Sequence, residues 1–321
     1  MAILNKGIDV AHHEPVIKWE LLRQQDIHFV FIKATEGVHR VDPKFKGFWT
    51  GAKQAGILRS AYHFLHPDID GRRQAEFFLS TVFPEVPAGE RIHPEPGDLP
   101  LVLDVEEIYE NVAVPTPPKK KGKGRQGQGQ LGTHPTHRVK QFAPRQVTTC
   151  AEVWLKTVEE RTGCKPIIYS RRSYLLPNMR VNGKPPDWAR EYLLWLAHYK
   201  DDPETDRPDE AEGWQDWSFW QYSENGFLDG VLDGLGRRTA VDLNCFRGTL
   251  EELYALAGTT PPPVSFETPM FSGPLAYGIE SGDTLNDLAA RFDTTEEAIL
   301  AANPQLTSAD SISPGDVIVV P

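Results

Sequence analysis

The sequence predicts an α/β protein: an incomplete or distorted βα barrel followed by a small second module. Three observations carry that expectation. Eight short apolar runs, most of them ending in polar or aromatic residues, recur through the larger part of the chain. Helix-like segments separate the early runs but not the later ones. A proline-rich stretch, "GTTPPPVSFETPMFSGP", then sets off a tail with its own pattern.

The runs are, in order, "ILNKGIDV", "HFVFIKATEG", "LRSAYHF", "LPLVLDVE", "KPIIYS", "YLLWLAHY", "WSFWQYS" and "TAVDLN". Short apolar runs bounded by turn residues fit strands buried on both faces, as in a parallel sheet. Between the early ones lie "VIKWELLRQQ", "KFKGFWTGAKQAG", "DGRRQAEFFLSTV" and "APRQVTTCAEVWLKTVEERTG", which read as helices. That alternation predicts βα units. After Tyr169 the helical signal weakens, and strands are expected to follow one another through loops. "NCFRGTLEELYALAG" then closes the domain, residues 1–258, as a helix.

One insertion, about residues 111–141, interrupts the pattern. It carries prolines, glycines, glutamines and a basic cluster from Lys119 to Arg125. Such a composition buries too little apolar surface to offset ordering entropy, so a mobile loop is expected. Its cations read as a solvated face or, alternatively, as a contact for an anionic cell-wall polymer. Residues 259–274 read as a semi-extended linker. Residues 275–321 read as a compact module with eight acidic residues against one basic residue, Arg291.

Bulk properties exclude several functions. The net charge of −11 disfavours nucleic acid as a partner, because phosphate would be repelled. No apolar run approaches the roughly 20 residues needed to cross a bilayer. "MAILNKGIDVAHHEP" lacks the cationic start and long apolar core of a secretory signal. The expectation is a protein made in the cytoplasm that would reach any outside target only through release by lysis or a dedicated secretion or injection system. Cys150, Cys164 and Cys245 show no paired metal spacing and read as buried or spare thiols. His12 and His13 are adjacent and on a strand would point to opposite sides; His134 and His137 fall in the insertion. No metal, nucleotide or other cofactor is expected, and the chain is expected to act as a monomer.

The chemistry concentrates in "LPLVLDVEEIYE", where an apolar strand runs straight into carboxylates. Strand residues two apart face the same side, about 6.5 Å apart, so Asp104 and Glu106 point together. Two acids on one face of a buried strand are costly unless one keeps its proton. A protonated carboxyl beside an ionised one is what glycoside hydrolysis requires. Asp9 in "GIDV" and Asp242 in "AVDLN" hold similar positions, and the strand C-termini of a βα barrel open on one face. Lys33, Glu36, Tyr62, Tyr169, Trp195, Tyr199, Trp220 and Gln221 also finish strands, lining a groove suited to sugar rings. Any single strand-end acid has a plain structural reading as a loop cap or ion-pair partner.

These residues resemble glycoside hydrolase family 25, the lysozymes (N-acetylmuramidases) of phages, bacteria and fungi. The resemblance runs from about Lys6 to Gly258 through "GIDV", "FVFIKATEG", "AYHF", "LPLVLDVE", "PIIYS", "LWLAHY", "WQYS" and "VDLN" in that order. It implies a flattened, TIM-like barrel of five βα units followed by further β-strands. It places the catalytic carboxylates on Asp9, Asp104, Glu106 and Asp242, and sugar-binding aromatics at Tyr62, Trp195 and Trp220. Ala11 stands where such lysozymes usually have a serine, and the insertion after Tyr109 is long for the family.

The tail is similar to a LysM module through "SGDTL", "LNDLAARF", "TEEAILAANP" and "ISPGDVIVVP". The resemblance implies a βααβ fold that binds N-acetylglucosamine-containing chains, with Gly282, Asp283 and Thr284 at the first turn and Asn303 and Pro304 ending the second helix. Thr284 or Asp283 serving as a helix N-cap explains the same residues locally. Because the module is acidic, charge attraction to an anionic wall would not drive its binding.

Together these features point to a hydrolase cutting the β-1,4 bond between N-acetylmuramic acid and N-acetylglucosamine, with peptidoglycan strands as partner. Glu106 is the expected general acid, and Asp104 would steady charge at the anomeric carbon, with either the substrate acetamide or a water held by Asp9 or Asp242 as nucleophile. A family 18 chitinase also uses D-x-E, but its longer motif wants acids at the positions held here by Val102 and Leu99. A non-catalytic wall-binding protein is the remaining alternative. Four retained carboxylates count against it, since a dead site has no reason to bear their desolvation.

Overall fold

The computed structural model describes residues 5–14, 16–115, 133–200, 203–262, 275–279, 283–292, 294–306, 308, 311–313 and 316–320. The chain divides into two compact units, Met1–Pro261 and Pro262–Pro321.

The first unit is built on β1 (Asn5–Val10), β2 (Ile27–Glu36), β3 (Leu58–Phe64), β4 (Val102–Asp104), β5 (Ile167–Arg171), β6 (Leu193–Ala197), β7 (Phe219–Gly226) and β8 (Val241–Phe246). Neighbours from β1 to β7 pair in parallel in chain order. β8 runs antiparallel between β7 and β1 and closes the barrel. These eight strands are the eight apolar runs. Each of the first five is followed by a helix: α1 (Trp19–Gln24), α2 (Phe45–Gln54), α3 (Gly71–Val82), α4 (Pro144–Thr162) and α5 (Arg172–Asn178). After β5 the helical signal weakens in the sequence, and α5 is the fifth and last helix of the five βα units that the resemblance implies. It is short and holds Pro177, which hides it from a periodicity reading.

Strand alternation sorts the side chains. Outward residues such as Val30, Ile32, Ala61, Leu103, Ile168 and Leu196 pack beneath the helices. Inward ones fill the lumen: Phe29, Phe31, Val102, Ile167, Trp195 and Phe219. Gly7 faces inward, and a Cβ there would meet the Phe29 ring at 2.4 Å, so only glycine leaves room for that ring. The lower end is closed by α6 (Leu250–Leu256), whose Leu253 and Tyr254 join the lumen cluster. The Asn5 side chain donates to the Gly248 carbonyl at 2.8 Å, fixing the turn that leads into this helix.

The insertion differs from expectation at its flanks. Ile108–Pro115 and Thr133–Lys140 form an antiparallel hairpin, from Ile108↔Lys140 to Pro115↔Thr133. β-Branched residues at Val112, Val114, Thr133, Thr136 and Val139 favour extended backbone, and composition averaged over the whole insertion concealed them. The Lys119–Arg125 cluster lies outside the described residues.

The second unit has the order strand Leu275–Gly278, helix α7 (Leu285–Arg291), helix α8 (Glu296–Ala302) and strand Val317–Val320. The two strands pair antiparallel. Ile279, Leu285, Leu288, Ile299, Ile318 and Val320 form its core.

Candidate active site

The sheet alternation aims Asp9, Lys33, Tyr62, Asp104, Tyr169, Trp195, Gln221 and Asp242 toward one side of the barrel wall. The end of β4 is held from both sides: Leu65 N donates to the Asp104 carbonyl at 2.9 Å, and Val105 N to the Tyr169 carbonyl at 3.0 Å. Glu106 follows just beyond it.

Asp242 reaches this rim by a route the sequence reading did not foresee. It does not end a parallel strand; it is the second residue of the reversed strand β8, directly opposite Asp9 in the ladder. Reversal needs only a loop from β7 rather than a crossover helix, and it carries the start of β8 to the rim where the parallel strands end.

Like charges directly opposite in a sheet repel. Burial, reinforced by the charge of Asp242, pushes the Asp9 carboxyl well above the usual range. Burial also raises Asp242, to about 6. Between them stands Gln221, 2% exposed. Its Nε2 donates to Asp9 Oδ2 at 2.9 Å and to Asp242 Oδ2 at 3.0 Å. Its Oε1 accepts from the Tyr169 hydroxyl at 2.8 Å and the Tyr199 hydroxyl at 3.3 Å. Asn244 Nδ2 adds a second donor to Asp9 Oδ2 at 2.7 Å, while its own Oδ1 accepts from the Trp195 indole at 2.7 Å. This pair is fully bridged.

Asp104 and Glu106 are treated differently. Asp104 is 5% exposed, and burial followed by the charge of Glu106 drives its carboxyl well up. Glu106 is the more open, with its side chain 21% exposed. Burial raises it too, and Arg171 pulls against that rise. The upward shift expected of Glu106 therefore falls on both acids, and more strongly on Asp104. Asp104 Oδ1 and Glu106 Oε1 are both buried without a hydrogen-bond partner. Arg171 Nε stands 3.3 Å from Glu106 Oε1, outside hydrogen-bond geometry. Two unsatisfied carboxylate oxygens beside a bridged acid pair form a site that lacks only a donor from outside.

The other expected residues fall into groups. Tyr62, half-buried, meets the Trp195 ring edge-on at 6.4 Å, and Tyr199 lies partly open beneath Arg171. Lys33 Nζ donates to Glu36 Oε2 at 3.2 Å. Glu36 also pairs with His66 and Arg40, and the His66 contact foremost pulls its carboxyl down to about 2, so it stays charged. Trp195 is a lumen residue stacked on Phe31 at 4.1 Å, which makes it floor rather than groove wall. Trp220 does not belong to the site. It is 0% exposed, points outward among Trp217 and Tyr222, and donates its indole N–H to the His198 carbonyl at 2.8 Å. The parity that aims Gln221 inward aims Trp220 outward.

His12 and His13 follow the end of β1 in a turn, and their rings lie 4.0 Å apart rather than on opposite sides. Among the described residues no group of three or more His, Cys, Asp and Glu side chains is arranged to hold a metal ion.

In the second unit Thr284 caps α7, its hydroxyl accepting from Asp287 N at 3.1 Å, and Asp283 accepts from the Tyr277 hydroxyl at 3.0 Å. Asn303 is buried, donating to the carbonyls of Ile299 and Val319 and accepting from Val319 N at 2.7 Å. It staples α8 to the last strand and is not presented to a glycan. Pro304 is exposed beside it, and Gly282 lies outside the described residues.

Sequence reasoning missed Asn244 and Arg171. Both were legible by parity: Asn244 stands two residues from Asp242 in "VDLN", and Arg171 two from Tyr169 in "YSR".

A model of glycosyl hydrolases family 25 matches residues 8–231, well over half of the chain. The chain belongs to this family. The match takes in Asp9, Asp104 and Glu106 and ends before Asp242. A LysM domain model matches residues 277–321. The uncharacterized protein YegX of Escherichia coli O6:H1 is 36% identical over 253 residues, 77% of this chain and 71% of its own. Lysozyme M1 of Streptomyces globisporus is 29% identical over 256 residues, covering 79% of this chain and 72% of its own. The crystal structure of the bacterial lysozyme from Streptomyces coelicolor superposes with a TM-score of 0.58 at 28% identity, covering 80% of this chain and 98% of that one. A family 25 barrel joined to a LysM module is a peptidoglycan hydrolase targeted to the cell wall.

Proposed function

We propose that the protein is an N-acetylmuramidase, cutting the β-1,4 bond from N-acetylmuramic acid to N-acetylglucosamine. The observation that carries this reading is the pair of buried oxygens on Asp104 and Glu106 that lack a hydrogen-bond partner at the barrel mouth. Glu106 is the more open of the two, so it is the group positioned to protonate a leaving oxygen. Substrate covering the mouth excludes water and raises the cost of charge there, which favours the proton-bearing form that Glu106 needs. Asp104 then faces the positive charge that develops at the anomeric carbon.

The bridged Asp9–Asp242 pair supports two routes. It can orient the substrate acetamide as an internal nucleophile, or hold a water for direct attack. About 5–5.5 Å between acting carboxyls suits a retaining nucleophile and about 6.5–9.5 Å leaves room for water, but an acetamide nucleophile is exempt from that rule.

Mass spectrometry of digested peptidoglycan tests the bond. Muropeptides ending in reducing N-acetylmuramic acid are expected; reducing N-acetylglucosamine ends would overturn the assignment in favour of a glucosaminidase.

A further inference from the structure

We infer that Arg171 reads a carboxylate on the substrate, so that negatively charged peptidoglycan strands are better substrates than neutral β-1,4 glycans; the inference rests on the muramidase reading above. Four carboxylates line the mouth and the whole chain carries −11, so an anionic polymer is repelled unless a cation receives it. Lys33 stands nearby but is engaged with Glu36 and lies 5.0 Å over the Phe64 ring. Arg171 is placed differently. It ends β5 on the inward parity of Tyr169, over the Tyr199 ring at 5.5 Å, and its side chain is 44% exposed.

A guanidinium carries five N–H donors in a flat fork suited to binding a carboxylate through two parallel bonds. Here the fork is nearly unused. Its Nε approaches Glu106 at 3.3 Å outside hydrogen-bond geometry, and its terminal NH2 reaches Glu224 Oε2 only at 3.5 Å. Neither contact is bidentate. An arginine kept in place to neutralise Glu106 or Glu224 would close onto one of them at about 2.7–2.9 Å, the usual charge-assisted distance. The Tyr199 ring and two loose acidic neighbours instead flank the guanidinium and leave most of its donors unused.

Two carboxylates of peptidoglycan fit this chemistry: the lactyl group of N-acetylmuramic acid in peptide-free strands, and the free carboxyls of the stem peptide. Initial rates would be measured on peptide-free strands and peptide-bearing strands, each untreated and with carboxyls converted to neutral amides. The wild type, Arg171→Gln and Arg171→Lys would be compared. Charge-assisted hydrogen bonds predict that amidation lowers wild-type kcat/KM about tenfold to a hundredfold, that Arg171→Gln loses this preference, and that Arg171→Lys keeps part of it. A preference confined to peptide-free strands assigns the lactyl group, and one confined to peptide-bearing strands assigns the stem. Equal rates on charged and amidated strands in the wild type, or an undiminished preference in Arg171→Gln, overturn the inference. Reducing ends from untreated strands report on the muramidase reading separately, and their absence in the wild type removes both.

Discussion

The two acid pairs at the barrel mouth share a rim, a sheet and a cost of burial, yet they are finished in opposite ways. Asp9 and Asp242 are locked by Gln221 and Asn244, so a single arrangement is set before any ligand arrives. Asp104 and Glu106 keep buried oxygens with no hydrogen-bond partner. A folded protein tolerates such an orphan where something else supplies the missing bond. On the proposed function, the contrast separates a fixed pair that positions from an open pair that reacts.

The largest test of that contrast is Glu106→Gln. Loss of the general acid should cut turnover about 10²–10⁴-fold in a turbidity assay on purified walls, with the fold intact by circular dichroism. Activity close to wild type would remove Glu106 from the role. Gln221→Leu strikes the fixed pair without touching a carboxylate. It should lower kcat roughly tenfold to a hundredfold, as loss of an orienting partner does. It should also move the ionisation limb of the pH profile upward, because the lost donors favour the charged forms of Asp9 and Asp242. An unmoved limb would mean that the bridge does not act on the acids.

Stability sharpens the comparison. The Asp242 carboxyl sits near 6 in the fold against 3.8 free, so the native state binds its proton more tightly. Its stabilising contribution is present below about pH 4 and is lost as pH rises through about 6. Asp242→Asn should therefore gain on the wild type between those limits, by about 1–3 kcal/mol after allowance for partial exposure. Melting temperatures across pH would show it, and a constant offset would refute it. Smallest of all, Trp220→Phe should leave kcat/KM within about twofold while costing about 1 kcal/mol of stability, as expected of a packing residue that points away from the lumen. A large kinetic loss would return that ring to the site.

Most of the scaffold was legible because buried parallel strands announce themselves as short apolar runs, and all eight became the barrel. The acids were legible because carboxylates after such runs violate the usual cost of burial. What escaped depended on direction and on parity. No local pattern marks β8 as reversed, since an antiparallel neighbour uses the same residues as a parallel one. Trp220 and Gln221 are adjacent, and only knowing which faces inward tells sugar platform from packing. Asn303 was assigned to glycan binding only through the LysM resemblance, and the backbone groups of Ile299 and Val319 that occupy its amide are invisible to a motif.

The helix that seals the lower barrel has a further consequence. With Leu253 and Tyr254 filling that end and aromatic rings packed above them, the barrel is a cup and not a tube. A polymer cannot be threaded through a cup. It must be laid across the brim, a placement that asks for no free terminus and leaves bonds far from either tip of a long strand open to scission.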